Sequence, residues 1–131
     1  MLELGQYYNA LIYSRSPLSC MVFAKTLYRM NKIGNLGWEM FRLEYNDFLS
    51  KYNDLLPSFT IYFDTPVANC LARQRRKARL SETRYQDMEQ YLKELRISAT
   101  VVYEDNLDLQ FRKITSLNIL DRVEAVKKFV K

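Results

Sequence analysis

The feature that most restricts this chain is the run SFTIYF at residues 58–63, bounded by Pro57 and by Asp64-Thr65-Pro66. A short stretch of aromatic and β-branched residues between two prolines reads as the clearest strand in the chain. Helical patterns precede and follow it. Residues 17–31 carry Leu18, Met21, Val22, Leu27, Tyr28 and Met30, and Ser16-Pro17 is a helix-start signal. After a turn at Lys32–Gly37, residues 38–55 place Trp38, Phe41, Tyr45, Phe48, Leu49 and Tyr52 at helical spacing. Pro66 opens the next helix, and another spans about 82–96 with Tyr85, Met88, Tyr91, Leu92 and Leu95 along one side. Two further runs read as strands, YNALIYS at 8–14 and ATVVY at 99–103. Asp121-Arg122-Val123-Glu124 reads as a capping box for a last helix through Phe129. Residues 104–118 carry no clear pattern.

The expected order is strand, two helices, strand, two helices, strand, helix. Strands joined through helices imply an α/β chain with a short parallel sheet flanked by helices. The 131 residues fit one domain, 1–131, with no internal repeat or low-complexity linker. A three-stranded sheet leaves open edges, which implies other protein subunits covering them. No stretch reaches the ~20 apolar residues of a membrane span. The start MLELGQYYNALIY is expected to be neither a secretory signal nor a transit peptide.

Missing residue types exclude whole classes of chemistry. The chain has no histidine, which removes Ser-His triads and most zinc sites. Cys20 and Cys70 are isolated among apolar or small residues, where thiols are expected to pack in the core and a reducing or mitochondrial compartment fits. Cys20 as a reactive thiol is the alternative. The only glycines are Gly5, Gly34 and Gly37, and no GxxxxGK[ST] loop is present. No metal site is expected.

Charge is concentrated in one place. Residues 1–70 balance to zero, and the run Arg73-Gln74-Arg75-Arg76-Lys77-Ala78-Arg79 carries +5, the same as the whole chain. The run fits a solvated helix end, a phosphate clamp of arginine forks or a nucleic-acid patch. It has no interleaved aromatics and belongs to no nucleic-acid-binding motif, so no nucleic-acid partner is expected. The aromatic residues are expected to be mostly core, with Tyr7, Tyr8 and Tyr13 as candidate interface residues. Asp64 ends a strand and is read as a helix N-cap ahead of Pro66; a site at the strand end is the alternative. Glu39, Glu44 and Asp47 read as a solvated face.

Four blocks, in order, resemble the deoxynucleoside kinases: LIYSRSP at 11–17, VFAKTLY at 22–28, FTIYFDTPVANCLARQRRKAR at 59–79 and DMEQYLKEL at 87–95. The resemblance covers about residues 11–96. It implies a partial three-layer P-loop-kinase-like fold with the first strand and the P-loop missing, and a lid-like basic segment at 73–84. It implies that Arg15 lies near the acceptor hydroxyl and phosphates, and that Arg73, Lys77 and Arg79 are lid cations for the transferred phosphoryl group. Glu82 falls where the family places a carboxylate near the sugar hydroxyl. The chain departs at Ser14, where the family has a magnesium-associated glutamate, and at Cys20, where it has an aspartate. With these acids and the P-loop lacking, no self-sufficient ATP-dependent kinase is expected.

One branch of the family, the nucleoside-kinase-like accessory subunit of mitochondrial respiratory complex I, is similar at Gly5-Gln6, Arg15-Ser16-Pro17, Asp64-Thr65-Pro66-Val67 and Gln86-Asp87-Met88-Glu89. It implies a non-catalytic accessory subunit, peripheral on the matrix side of the inner membrane. The alternatives are a fragment or split half of an active kinase using ATP and Mg, with a cytoplasmic location open to it, and a regulatory nucleotide or phosphate binder at the basic lid.

Overall fold

The computed structural model describes residues 12, 14–77, 79, 87–105 and 110–130. The expected strand at 8–14, except for residues 12 and 14, lies outside the described residues, as do Tyr7, Tyr8, Tyr13 and Glu82.

Helix α1, Pro17–Arg29, begins where Ser16 and Pro17 dictate. Ser16 is extended, its Oγ accepts from the Leu18 backbone N–H at 3.3 Å, and its own N–H donates to Ser19 Oγ at 3.5 Å. Helix α2 is Asn35–Lys51, three residues earlier than expected. Extended Gly34 serves as its cap, and the Trp38 N–H donates to the Gly34 carbonyl, so Gly37 belongs to the helix and not to the turn. A single 3₁₀ turn, Asn53–Leu55, follows. Strand β1, Phe59–Phe63, leads into helix α3, Val67–Lys77.

The expected strand at 99–103 is instead the last part of helix α4, Met88–Glu104. No Gly or Pro interrupts residues 88–104, and Leu92, Leu95, Ala99, Val102 and Tyr103 continue one helical stripe. Two valines cost such a helix only tenths of a kcal/mol each, and the tertiary packing of that stripe decides. The second described strand, β2, Gln110–Ile114, comes from the unpatterned stretch. It pairs parallel with β1 from Phe59↔Gln110 to Phe63↔Ile114. The last helix, α5, Ile119–Val130, starts before Asp121. Asn118 Oδ1 accepts from the Leu120 N–H at 2.8 Å, so Asn118 is the cap and Asp121 sits in the first turn.

The architecture is α/β, a short parallel sheet flanked by helices. The main helix contact is α1 on α4. Small buried side chains, Ser98 and Ala99 on α4 and Thr26 on α1, allow close approach, and Arg29 Nε donates to Glu94 Oε2 at 2.7 Å. Tyr62 of β1, Phe111 of β2 and Tyr103 of α4 cluster at 5.5–6.3 Å and join helix to sheet. The fully hydrophobic core is small: Leu18, Val22, Tyr45, Ala99 and Ile114 are its buried members among the described residues. The outer face of α2 leaves Leu36, Met40 and Leu43 exposed.

Candidate functional site

The first helix start and the second helix enclose an open apolar cavity of about 620 Å³. Its α1 side is Arg15, Ser16, Pro17 and Cys20; its α2 side is Phe41, Glu44, Tyr45 and Phe48, with Leu55 at the end. Positions 41, 44, 45 and 48 share one helix face, and 16 and 20 lie one turn apart, so two ordinary helical periods build both walls.

Arg15 is the conformational exception. Its φ of 69° is left-handed, a region that side chains other than Gly seldom adopt. Its guanidinium lies 5.2 Å above the Phe23 ring centroid, a cation–π contact that holds the charge at the cavity. A run of near-parallel rings passes from Tyr28 of α1 through Trp38 and Phe41 to Tyr45 of α2, with centroids 5.0, 6.1 and 5.6 Å apart, and its last two members line the cavity. Tyr45 is only 9% exposed, and its hydroxyl has no hydrogen-bond partner among the described residues. Burial, and then the neighbouring Cys20 and Tyr103 side chains, push its pKa up to about 12, so it stays a neutral donor. Cys20 is exposed on the cavity wall and Cys70 is half-buried, which corrects the expectation of a core role for Cys20. Its place at the mouth of a cleft, four residues after Ser16, overrides its apolar sequence neighbours.

The lid cations do not line the cavity between α1 and α2. Arg73 and Lys77 are exposed on α3, and Arg79 is exposed just beyond it. Glu82 falls outside the described residues. Glu39 and Asp47 pair with Arg42 and Lys51 on the solvated face of α2, whereas Glu44 reaches the cavity wall.

Asp64 does not cap α3. That helix starts on the Pro66 carbonyl, which accepts from Asn69 and Cys70. The Asp64 carboxylate, 5% exposed, accepts instead from Arg96 Nε at 2.6 Å and Nη2 at 2.9 Å, with Lys113 Nζ at 4.0 Å. Its own N–H donates to the Ile114 carbonyl at 2.9 Å, tying the end of β1 to β2. The hydrogen bonds from Arg96 outweigh the opposing effect of burial and hold the carboxyl below the usual range. This two-pronged pair locks α4 to the strand end. Beside it, Arg122 of α5 donates to Thr65 Oγ1 at 3.0 Å and to the Ser116 carbonyl at 2.6 Å and lies 5.0 Å over Phe63.

The kinase resemblance implies ATP and Mg. Ser14 stands where a magnesium-associated carboxylate is expected, and the described residues contain no cluster of three metal-ligating side chains. Arg15, expected from the resemblance near the acceptor hydroxyl and phosphates, lines this cavity; sequence reasoning missed Tyr45 and Glu44 as wall residues and Arg96 as the partner of Asp64. The stripe 41–45–48 was visible as helical periodicity; Asp64 and Arg96 are far apart in sequence and give no local signal.

The family profile described as "Deoxynucleoside kinase" matches residues 2–130. Among solved structures, deoxyadenosine kinase from M. mycoides with bound dATP superposes with a TM-score of 0.78 at 19% identity, covering 98% of this chain and 66% of that one. The same enzyme with bound dCTP gives 0.74 at 20% identity, covering 86% and 59%. With the products dCMP and a flexible dCDP it gives 0.73 at 20%, covering 98% and 65%. This chain thus spans about three-fifths to two-thirds of the length of these kinases. A search of curated proteins gives no match.

Proposed function

Because the chain belongs to the deoxynucleoside kinase family, we propose that it supplies the deoxynucleoside-binding and lid portion of such a kinase, the phosphate-donor loop being carried by another part of the assembly. The observation that carries this reading is the cavity between α1 and α2, apolar in its body, with the Arg15 guanidinium fixed beside it on left-handed backbone. Ligand sites have this make-up: apolar walls and a few placed polar groups.

In this reading Arg15 holds an oxygen of the acceptor near the reacting centre. Arg73, Lys77 and Arg79 neutralise charge that develops on the transferred phosphoryl group. Glu82 accepts from a sugar hydroxyl. In this reading ATP and its metal ion are held by the donor part, because the GxxxxGK[ST] loop lies there.

Isothermal titration with deoxynucleosides, followed by phosphoryl transfer from labelled ATP, tests this. The purified chain binds a deoxynucleoside, and Arg15→Ala weakens binding by about tenfold, the loss expected for one charge-assisted contact. Alone it transfers no phosphate; with a polypeptide bearing a GxxxxGK[ST] loop it does. Full transfer by the chain alone sinks the division of labour, and no binding at millimolar nucleoside sinks the reading itself.

Two observations favour a second reading, a non-catalytic accessory subunit in an inner-membrane assembly such as respiratory complex I, on its matrix side. Ser14 and Cys20 replace the expected acids, and Leu36, Met40 and Leu43 are uncovered on α2. Under it, other subunits cover the apolar face and the sheet edge, and the nucleoside titration is flat.

A further inference from the structure

We propose that the end of the molecule where helix α5 meets the tip of β1 docks on the surface of an anionic lipid bilayer. Its apolar side chains enter the acyl layer and its cations meet lipid phosphates. This goes beyond the kinase reading and does not depend on it.

The first support is an uncovered apolar cluster. Phe63 at the end of β1 is exposed, as are Leu117, Ile119, Leu120 and Val123 at the start of α5, Ile119 by 74% and Leu120 by 70%. Ile119 and Val123 are one helical turn apart and line, with Phe63 and Val126, an open groove of about 400 Å³. Single exposed apolar residues need no explanation, but a cluster of them beside a groove is a binding surface.

The second support is the sign of the charge around it. Arg122 and Lys127 are the charged residues lining the groove, with no carboxylate among the described lining residues. Bonds to Thr65 and Ser116 hold Arg122 over the Phe63 ring, 5.0 Å from its centroid. Next along the chain, the buried Asp64 carboxylate faces two cations, Arg96 and Lys113. The two acids of α5 are engaged: Asp121 accepts from Ser116 at 3.3 Å, and Glu124 pairs with Lys127 at 3.2 Å. That exposed pair opens at little cost. Residues 110–130 carry five basic side chains against Asp121 and Glu124, a net of +3, which a sheet of negative phosphates attracts.

The residue types separate a bilayer from a protein partner. The cores of protein interfaces are enriched in Tyr, Trp and Met. The uncovered side chains here are four aliphatic ones and one Phe. An interfacial helix combines such an apolar face with lysines on its polar face, and α5 has Lys127 and Lys128 in its last turn.

The test is co-sedimentation of the full chain with vesicles of phosphatidylcholine alone and of phosphatidylcholine mixed with phosphatidylserine. The chain sediments with the mixed vesicles and not with the neutral ones, and rising salt releases it. Ile119→Ser with Leu120→Ser leaves the charge unchanged at two exposed positions; this variant melts with the wild type and binds at least about tenfold more weakly. Lys113→Gln with Lys127→Gln weakens binding about thirtyfold, roughly fivefold for each cation. Deoxynucleoside titrations are the same for all three proteins, because none of these residues lines the cavity between α1 and α2. Absence of sedimentation, or equal sedimentation with both kinds of vesicle, overturns the proposal. Undiminished binding by the serine variant also overturns it and assigns the binding to another surface, such as the basic run of α3. A wild-type dimer in vesicle-free light scattering that the serine variant dissolves shows that a second copy covers the patch, and overturns the bilayer as its partner.

Discussion

Arg96→Met lowers the stability of the fold by about 3 kcal/mol, whereas Asp64→Asn costs only about 1 kcal/mol. The asymmetry follows from where each partner sits. The Asp64 carboxylate is 5% exposed, while the Arg96 side chain is 43% exposed. Removing Arg96 strands a buried anion with only Lys113, 4.0 Å away, as counter-charge. Removing the anion leaves a guanidinium that returns to water. The pH dependence carries the same signature. Hydrogen bonding to Arg96 holds the folded Asp64 pKa below its ordinary value. The pair therefore contributes fully above about pH 4, the unfolded carboxyl value, and its contribution is lost as pH falls through the folded value. In the Arg96→Met protein that depression is gone and burial favours the neutral acid. Its deficit against wild type is therefore largest at pH 7 and shrinks towards pH 3. Urea unfolding at the two pH values measures it; an equal deficit at both would show that Asp64 ionisation is not linked to folding through Arg96.

Leu18→Ala costs about 3 kcal/mol by lost transfer energy and the cavity left behind. Leu18 is 3% exposed and is one of few buried apolar residues among those described, so little else can move in to fill the void. Leu43→Ala, at a position 70% exposed on α2, changes stability by less than about 0.5 kcal/mol. Guanidinium unfolding midpoints of the two variants check the pair. A large loss at Leu43 would mean that the outer face of α2 is covered by a partner in the protein as purified.

What could be read beforehand was local. Ser16-Pro17 fixed the start of α1 because capping is decided within four residues. SFTIYF gave β1 because flanking prolines and β-branched residues act at short range. The misreadings arise where distant contacts decide. Residues 99–103 look like a strand in isolation, but they complete the stripe by which α4 packs. Gln110–Ile114 has only two apolar residues, and it becomes a strand because β1 offers a parallel ladder. Asp121 mimics a cap, but Asn118 lies three residues earlier and takes the bonds. At the candidate site, the basic run and Arg15 stand out by charge or motif. The wall residue Tyr45 was hidden, because a cavity-lining tyrosine and a core tyrosine have the same helical spacing.

The most direct measurement is native mass spectrometry of the protein purified gently from its own source. A kinase portion arrives with a GxxxxGK[ST] sequence, either on a companion polypeptide or on a longer form of the chain itself, and the isolated assembly phosphorylates a deoxynucleoside. Recovery in a large membrane assembly without any such loop, and without phosphoryl transfer, would contradict this and leave the accessory-subunit reading in its place.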